Sequence, residues 1–499
     1  MKYNLFFIII LLHHLSKKDD YIYCINANKI MDQILLSYFQ LIPKSTELFN
    51  NSIQLFNYYN SIYFRTFQQV LKKKEEEGES SSKLDNIENF YNAWLKIMDR
   101  EFDKELKSMS FTSLLSKYID SVTDLHSLYR RTGFPVGYFD WVLNSYIQNM
   151  MSLATSSILK ESKLSPHDII YLKGKTRLLH YHGIREKEEE KENSEPLLII
   201  YAPINRFHIM DLNPKRSVVR NLLSKGLDVY LLDLGYPTKE DDKLSLNDYI
   251  DYVKDAVQTI LKKEKEEQQG QRQENKKISI LGYCWGGILA LIYTALEATN
   301  ITQNNGDNIV RSLALMATPV DFNKENTILA NWSRAVNIDK MMDEFGNMNG
   351  QILDLAFAMR NPPRYTFDKY FKLFKKLYDK EFVDTFIDVE RWLYDTPPVP
   401  GNLHRQIINN CYKDNLLITN KMKIDDNYID LRNITIPILM IVAEKDDLVT
   451  TESAIAVSDY VSSNKKDFLK SPGGHVALCI SDNAHERLWP NAAKWIQSK

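Results

Sequence analysis

Apolar runs that alternate with amphipathic helical stretches constrain this 499-residue chain more than any other feature. From about residue 165 onward, the runs at 197–201, 227–232, 278–281, 313–317 and 438–442 are apolar at nearly every position, as strands buried on both faces are. Between them lie helical patterns. One spans 217–223 and stops before Gly226; another sets Leu246, Tyr249, Ile250, Val253, Val257, Ile260 and Leu261 on one face; a third spans 288–298. This alternation predicts an α/β architecture with a doubly wound, mostly parallel sheet. From 322 to 430 it breaks into a helical, aromatic stretch carrying Trp332, Phe357, Trp392 and Tyr394. Inserted between strands, that stretch is expected to cap the C-terminal edge of the sheet, where open α/β sheets bind ligands.

Before residue 150 the pattern is helical, without strand signals. Phe49, Ile53, Phe56, Asn60, Tyr63, Phe67 and Val70 recur at steps of four and three, as do Phe111, Leu115, Tyr118, Val122, Leu125 and Tyr129. Each set makes a seam suited to a hairpin or coiled-coil-like partner surface, or to packing on the chain's own second domain. The chain thus divides into 1–30, a leader or misassigned start; 31–150, helical; 151–321 and 431–499, the two parts of the α/β core; and 322–430, the cap. The apolar run at 5–12 has eight residues, whereas a membrane span needs about 20. No transmembrane span is expected, and Met31 is an alternative start.

Lys plus Arg (63) nearly balance Asp plus Glu (65), which argues against a nucleic-acid binder held by phosphate contacts. Mixed-sign runs at 72–77, 185–195 and 262–277 read as solvated helix ends or loops. The four cysteines form no CxxC pair, so neither a disulfide scaffold nor a structural zinc site is expected, and a reducing cytoplasm suits the chain. No motif for a metal, nucleotide or flavin stands out, and no cofactor is expected.

Glycine is scarce, at 17 residues, yet five fall in Gly282-Tyr283-Cys284-Trp285-Gly286-Gly287 and Gly473-Gly474-His475. Strand, Gly282-x-Cys284-x-Gly286, then helix is the nucleophile elbow of the α/β-hydrolase fold, with cysteine in place of serine. A helix N-terminus favours a thiolate there, and the backbone N–H of Trp285 is placed to meet an oxyanion. The elbow predicts an acid and then a histidine, in that chain order. Glu444, Asp446 and Asp447 follow the 438–442 strand; Asp446 is the expected acid and Asp447 its rival. Of His404, His475 and His485, His475 follows the glycine loop and is the expected base. A second oxyanion donor is expected in the loop Ala202-Pro203-Ile204-Asn205-Arg206. Pro203 lacks an N–H, which leaves Ile204 or Asn205, with Ile204 preferred.

These residues resemble a known family. Leu178-Leu179-His180-Tyr181, Tyr201-Ala202-Pro203-Ile204-Asn205-Arg206, Gly235-Tyr236-Pro237, Gly282 to Gly287, Thr318-Pro319-Val320-Asp321-Phe322, Ala443-Glu444-Lys445-Asp446 and Pro472-Gly473-Gly474-His475 are similar, in order, to the catalytic subunit of polyhydroxyalkanoate synthases of class III and IV. The resemblance puts the family's nucleophile, acid and histidine on Cys284, Asp446 and His475. Where the family has a histidine after the acid, this chain has Asp447. Residues 31–150 more faintly resemble the family's helical partner subunit, through Trp94, Phe111 and the aromatic seam.

The resemblance implies a polymerising acyltransferase that joins (R)-3-hydroxyacyl-coenzyme A units, with coenzyme A as part of the substrate. It implies a growing polyester chain as partner and cytoplasmic granule surfaces as the location; the hydrophobic seam and a water-insoluble product lead to the expectation of a homo-oligomer, and a separate partner subunit stays open. A cysteine α/β-hydrolase sharing the triad is the first alternative, and a non-catalytic granule scaffold the second.

Overall fold

The computed structural model describes residues 83–132, 164–182, 195–267, 277–304, 308–361, 365, 368–377 and 379–499, with helical positions between 44 and 69. An eight-stranded sheet runs through the α/β part. Its strands are β1 (His167–Lys173), β2 (Thr176–Tyr181), β3 (Glu195–Ile200), β4 (Leu227–Asp233), β5 (Ile278–Tyr283), β6 (Val310–Met316), β7 (Ile438–Ala443) and β8 (Lys466–Ser471). Their order is β1-β2-β4-β3-β5-β6-β7-β8. β2 is antiparallel to both its neighbours, and every pairing from β4 to β8 is parallel.

Sequence reasoning locates the five central strands and misses β1, β2 and β8. Central strands such as β5 and β7 are buried at all six positions, so they read as unbroken apolar runs. β8 (Lys-Asp-Phe-Leu-Lys-Ser) is an edge strand with four exposed residues, and its charged composition hides it. β1, at the other edge, leaves Ile169 and Leu172 more than half exposed.

The described N-terminal helices include α1 (Lys83–Leu106) and α2 (Met109–Thr132). Around the sheet lie α3 (Val218–Ser224), α4 (Leu246–Glu267) and α5 (Trp285–Asn304). Ser217 caps α3 by accepting the Arg220 N–H. α5 is buried on all sides from Ile288 to Ala295, as a helix apolar around its circumference must be.

Between β6 and β7 the chain leaves the sheet to build the cap: α6 (Ile328–Ala335), α7 (Ile338–Phe345), α8 (Gly350–Met359), α9 (Lys369–Lys375), α10 (Lys380–Leu393) and α11 (Gly401–Ile407), then a π-turn at Ile408–Lys413. The C-terminal helical segment is in two parts. A π-turn at Ala484–Leu488 holds His485, and α12 (Trp489–Gln497) follows.

The N-terminal helices pack on the chain's own cap. Leu55, Ile62, Met98, Phe102, Leu106, Phe111 and Leu115 share one apolar cluster with Ile328 and Trp332 of α6. Trp332 Nε1 donates to the Leu106 carbonyl at 3.0 Å, and its ring lies 5.6 Å from Phe111. The α2 seam is used as expected at Phe111, Leu115 and Leu125. Of the earlier seam only Ile53 lies among the described residues; it is 41% exposed, while Leu55, Ile62 and Thr66 of the same segment are buried. Phe49, Phe56, Asn60, Tyr63, Phe67 and Val70 lie outside the described residues, as do residues 1–43; nor are the side chains of Trp94 and Tyr129 described.

Candidate active site

Cys284 stands between β5 and α5 with φ of 55°, a left-handed conformation that costs energy in any residue but glycine. The surrounding glycines make it attainable. A Cβ on Gly286 would land on the Ile200 carbonyl, and one on Gly287 on the Thr318 hydroxyl. The chain can therefore turn from strand to helix within one residue only where side chains are missing. Because Gly286 abuts Ile200 and Tyr201, the loop after β3 lies directly beside the elbow.

Sheet hydrogen bonding continues past the strand ends and ties the loops together. Cys284 N–H donates to the Met316 carbonyl at 2.9 Å, Ala317 N–H to Ile441 at 2.8 Å, and Lys445 N–H to Gly473 at 2.8 Å. Gly473, with φ of 100°, reverses the chain after β8 and turns His475 back toward the elbow.

His475 Nδ1 and Asp446 Oδ2 are 2.8 Å apart, with the side chains 8% and 3% exposed. The other Asp446 oxygen accepts the backbone N–H groups of Leu448 and Val449 at 2.9 and 3.0 Å. The His475 ring stacks on Tyr283, 4.9 Å between centroids, and the Cys284 side chain is near enough to act on its protonation. Burial pulls the His475 pKa down, but the charge of Asp446 and that of the Cys284 sulfur outweigh it, and the pKa rises to about 10. The arrangement holds a proton on the imidazole between a carboxylate and a sulfur. That is the condition for delivering a thiolate and returning a proton to a leaving group.

The described cap touches both sides of this array. Tyr412, on the π-turn, accepts a hydrogen bond from Trp285 Nε1 at 3.2 Å. On the other side, Asn205 Nδ2 donates to Thr396 Oγ1 at 2.7 Å, and Thr396 donates to the buried Asp354. Arg206 pairs with Asp395 at 3.0 Å, and Trp392 Nε1 donates to the Arg206 carbonyl at 2.6 Å. The loop holding Ile204 is thus clamped by the cap. Trp285 opens α5, and N–H groups in a first helical turn lack an intrahelical acceptor.

Two family profiles match the chain: one described as the N-terminus of poly-beta-hydroxybutyrate polymerase, over residues 148–222, and one described as the alpha/beta hydrolase fold, over 204–480. A poly(3-hydroxyalkanoate) polymerase subunit PhaC from Haloarcula marismortui is 32% identical over 384 residues, covering 73% of this chain and 77% of the relative. The chain belongs to the poly(3-hydroxyalkanoate) polymerase family. The PhaC subunit from Synechocystis sp. is 33% identical, covering 71% of this chain and 90% of the relative. That from Haloferax mediterranei is 34% identical over 67% of this chain, which spans 64% of that relative's length.

In this polymerase-family chain the rival residues have other partners. Asp447 Oδ2 accepts Arg360 Nε at 3.2 Å and the Tyr365 hydroxyl at 2.7 Å. Glu444 lies half exposed, 3.6 Å from Lys470. His404 is buried in the cap, edge-on to Trp285 at 6.1 Å, and burial lowers its pKa to about 4. His485 Nε2 lies 2.8 Å from the Cys479 carbonyl. Burial pushes the thiols of Cys411 and Cys479 up to about 12, which leaves Cys284 as the partly accessible thiol among the described residues.

Sequence reasoning missed Tyr283, Tyr412, Asn205 as a clamp point, Thr396 and Arg360. Tyr283 was legible in principle, because it fills the variable position of the elbow just before Cys284. The cap residues carry no motif and become visible only in three dimensions. Among the described residues no group of His, Cys, Asp or Glu is arranged to hold a metal ion, and no helix is long and apolar enough to cross a membrane.

Proposed function

We propose that this protein is a polymerising acyltransferase that joins (R)-3-hydroxyacyl-coenzyme A units into polyhydroxyalkanoate through an acyl thioester on Cys284. One observation carries the proposal: a partly accessible cysteine on a strained elbow shares a buried His475–Asp446 pair, in a chain of the polymerase family.

In the first half-reaction the Cys284 thiolate attacks the thioester carbonyl. The N–H of Trp285, with Ile204 as the second donor, meets the oxyanion. Coenzyme A leaves as its thiol with the proton from His475. This exchange of one thioester for another is nearly isoenergetic, so the acyl group stays activated. In the second half-reaction His475 takes the proton of a hydroxyl on another hydroxyacyl unit. The hydroxyl oxygen bonds to the acyl carbon, the carbon–sulfur bond breaks, and an ester and a free Cys284 result. A serine ester would lack that driving force. Asp446 fixes the imidazole tautomer and stabilises its charged form throughout. The cap serves to exclude water, the competing nucleophile. The insoluble product is consistent with action at a granule surface.

The test is to mix the protein with 3-hydroxybutyryl-coenzyme A and follow free thiol, turbidity and free hydroxy acid together. Thiol release with turbidity is expected. Thiol release matched by free hydroxy acid, without turbidity, would make the protein a hydrolase.

A further inference from the structure

Two adjacent carboxylates follow β7, and only Asp446 faces His475. Asp447 turns toward the cap, where Arg360 and Tyr365 hold it. The Arg360 guanidinium also bonds the Tyr365 hydroxyl and lies over its ring, 4.3 Å from the centroid. Arg360 is 8% exposed, and a guanidinium at that depth is strongly destabilised without its partner. The pair therefore fixes the acid loop to the cap from a position one residue beyond Asp446.

Arg360 directly follows α8, and the N-terminal helices grip the residue on either side of it. The Tyr59 hydroxyl donates to the Met359 carbonyl at 3.2 Å. On the far side, Asn361 Nδ2 donates to Asp99 Oδ1 of α1 at 2.7 Å. Met359 also packs on the apolar cluster of Phe102, Phe111 and Trp332. A continuous series of contacts thus runs from the N-terminal layer through residues 359–361 to Asp447, and one peptide further to Asp446.

We infer that Arg360 is a positioning residue through which the docked N-terminal helices set the geometry of the acid loop. It touches neither nucleophile nor base. It holds Asp447 away from the imidazole, so that Asp446, fixed by the Leu448 and Val449 N–H groups, alone orients His475. Loosening the N-terminal layer lets residues 359–361 move, releases Asp447, and leaves two carboxylates on one loop competing for the imidazole. The layer therefore acts on the reactivity of Cys284 rather than on substrate affinity. This inference rests on the Cys284–His475–Asp446 assignment above.

The test is the rate of Cys284 alkylation by iodoacetamide in the full chain, measured across pH without substrate. Besides His475 and Asp447, the charged groups facing Asp446 include the Glu325 carboxyl. Arg360→Gln should slow alkylation at neutral pH by about tenfold, the scale of a small misplacement relayed through a packed network. Tyr59→Phe combined with Asp99→Leu should slow it about threefold, and by nothing further in an Arg360→Gln background, because both act through one contact. Thioester KM should stay unchanged while kcat falls.

Additive losses, or a rise in KM with unaltered alkylation, would overturn the inference. His475→Gln is the control: if it leaves alkylation unchanged, the triad assignment itself fails. If it slows alkylation while Arg360→Gln does not, only the present inference fails. Labelling of the buried Cys411 or Cys479 would report an unfolded variant. Tyr365→Phe, which removes a single hydroxyl from the cluster, then takes the place of Arg360→Gln with the same two outcomes.

Discussion

The two walls of the site are built by different means. On the sheet side, Cys284, Asp446 and His475 are fixed by backbone: an elbow with a positive φ, a glycine reversal, and N–H to carbonyl bonds linking neighbouring loops. On the cap side, each hold on those loops runs through a particular side chain, as in Thr396 on Asn205, Asp395 on Arg206, Trp392 on the Arg206 carbonyl and Arg360 on Asp447. Backbone bonds tolerate most substitutions, whereas side-chain clamps depend on the residue present. On the proposed mechanism the sheet wall places the chemistry, and on the proposed role of Arg360 the cap wall, braced by the N-terminal helices, tunes it. Substitutions on the two walls should differ in kind as well as in size.

The largest effects belong to the sheet wall. Cys284→Ala and His475→Gln should each lower polymer formation by about 10⁴-fold or more, because nucleophile and base act as a unit. Both should leave the thermal midpoint close to that of the parent chain. Intact-mass detection of an acyl group on Cys411 or Cys479 in the parent protein would break the assignment.

Next come the neighbouring acids, which compare the walls one residue apart. Asp446→Asn should cost about 10³-fold, since the imidazole loses its orienting charge. Asp447→Asn should cost about tenfold, through positioning alone. Parallel measurement of kcat for the two variants checks this, and a larger loss in Asp447→Asn would reverse their roles.

A third change addresses the brace. Trp332→Ala removes the ring that joins α6 to Phe111 and Leu106. A loss of about 3–5 kcal/mol in stability is expected from a large aromatic truncation. Turnover per folded molecule should drop far less than for either sheet-wall change. Denaturant unfolding with activity measured on the folded fraction separates the two effects.

What the sequence made legible follows the same division. The elbow, the chain order of acid and histidine, and strands such as β5 and β7 were readable because backbone geometry imposes residue types: bare glycines, continuous apolar runs. β8 was not, because an edge strand needs no apolar pattern. The burial of Leu55 and Ile62 was not legible because this segment carries aromatic and aliphatic residues around much of its circumference, so periodicity alone could not choose among Leu55, Ile62 and Ile53. Thr396 and Arg360 were invisible because a clamp between segments far apart in the chain has no local signature.

The smallest effect on turnover is expected at Glu325, which lies between the walls. Its carboxyl accepts the Thr450 N–H at 3.0 and 3.1 Å, supporting the far end of the acid loop. Burial, assisted by the nearby Asp446 charge, raises its pKa from 4.5 to about 7. The sign follows from proton binding. Below pH 4.5 the carboxyl is protonated in folded and unfolded chains alike. Between 4.5 and 7 the unfolded chain has released this proton while the folded chain keeps it, so stability falls as pH rises through that window. Above 7 the penalty is constant. Glu325→Gln keeps an acceptor for Thr450 and carries no proton to lose, so it should match the parent near pH 4 and exceed it in thermal midpoint at pH 8. Some slope will remain, because burial also raises Asp354, beneath Thr396, to about 7. Thermal midpoints measured from pH 4 to 8 decide the matter. Equal slopes in both proteins would mean that Glu325 is ionised in the fold and that the acid loop is held by charge on both walls.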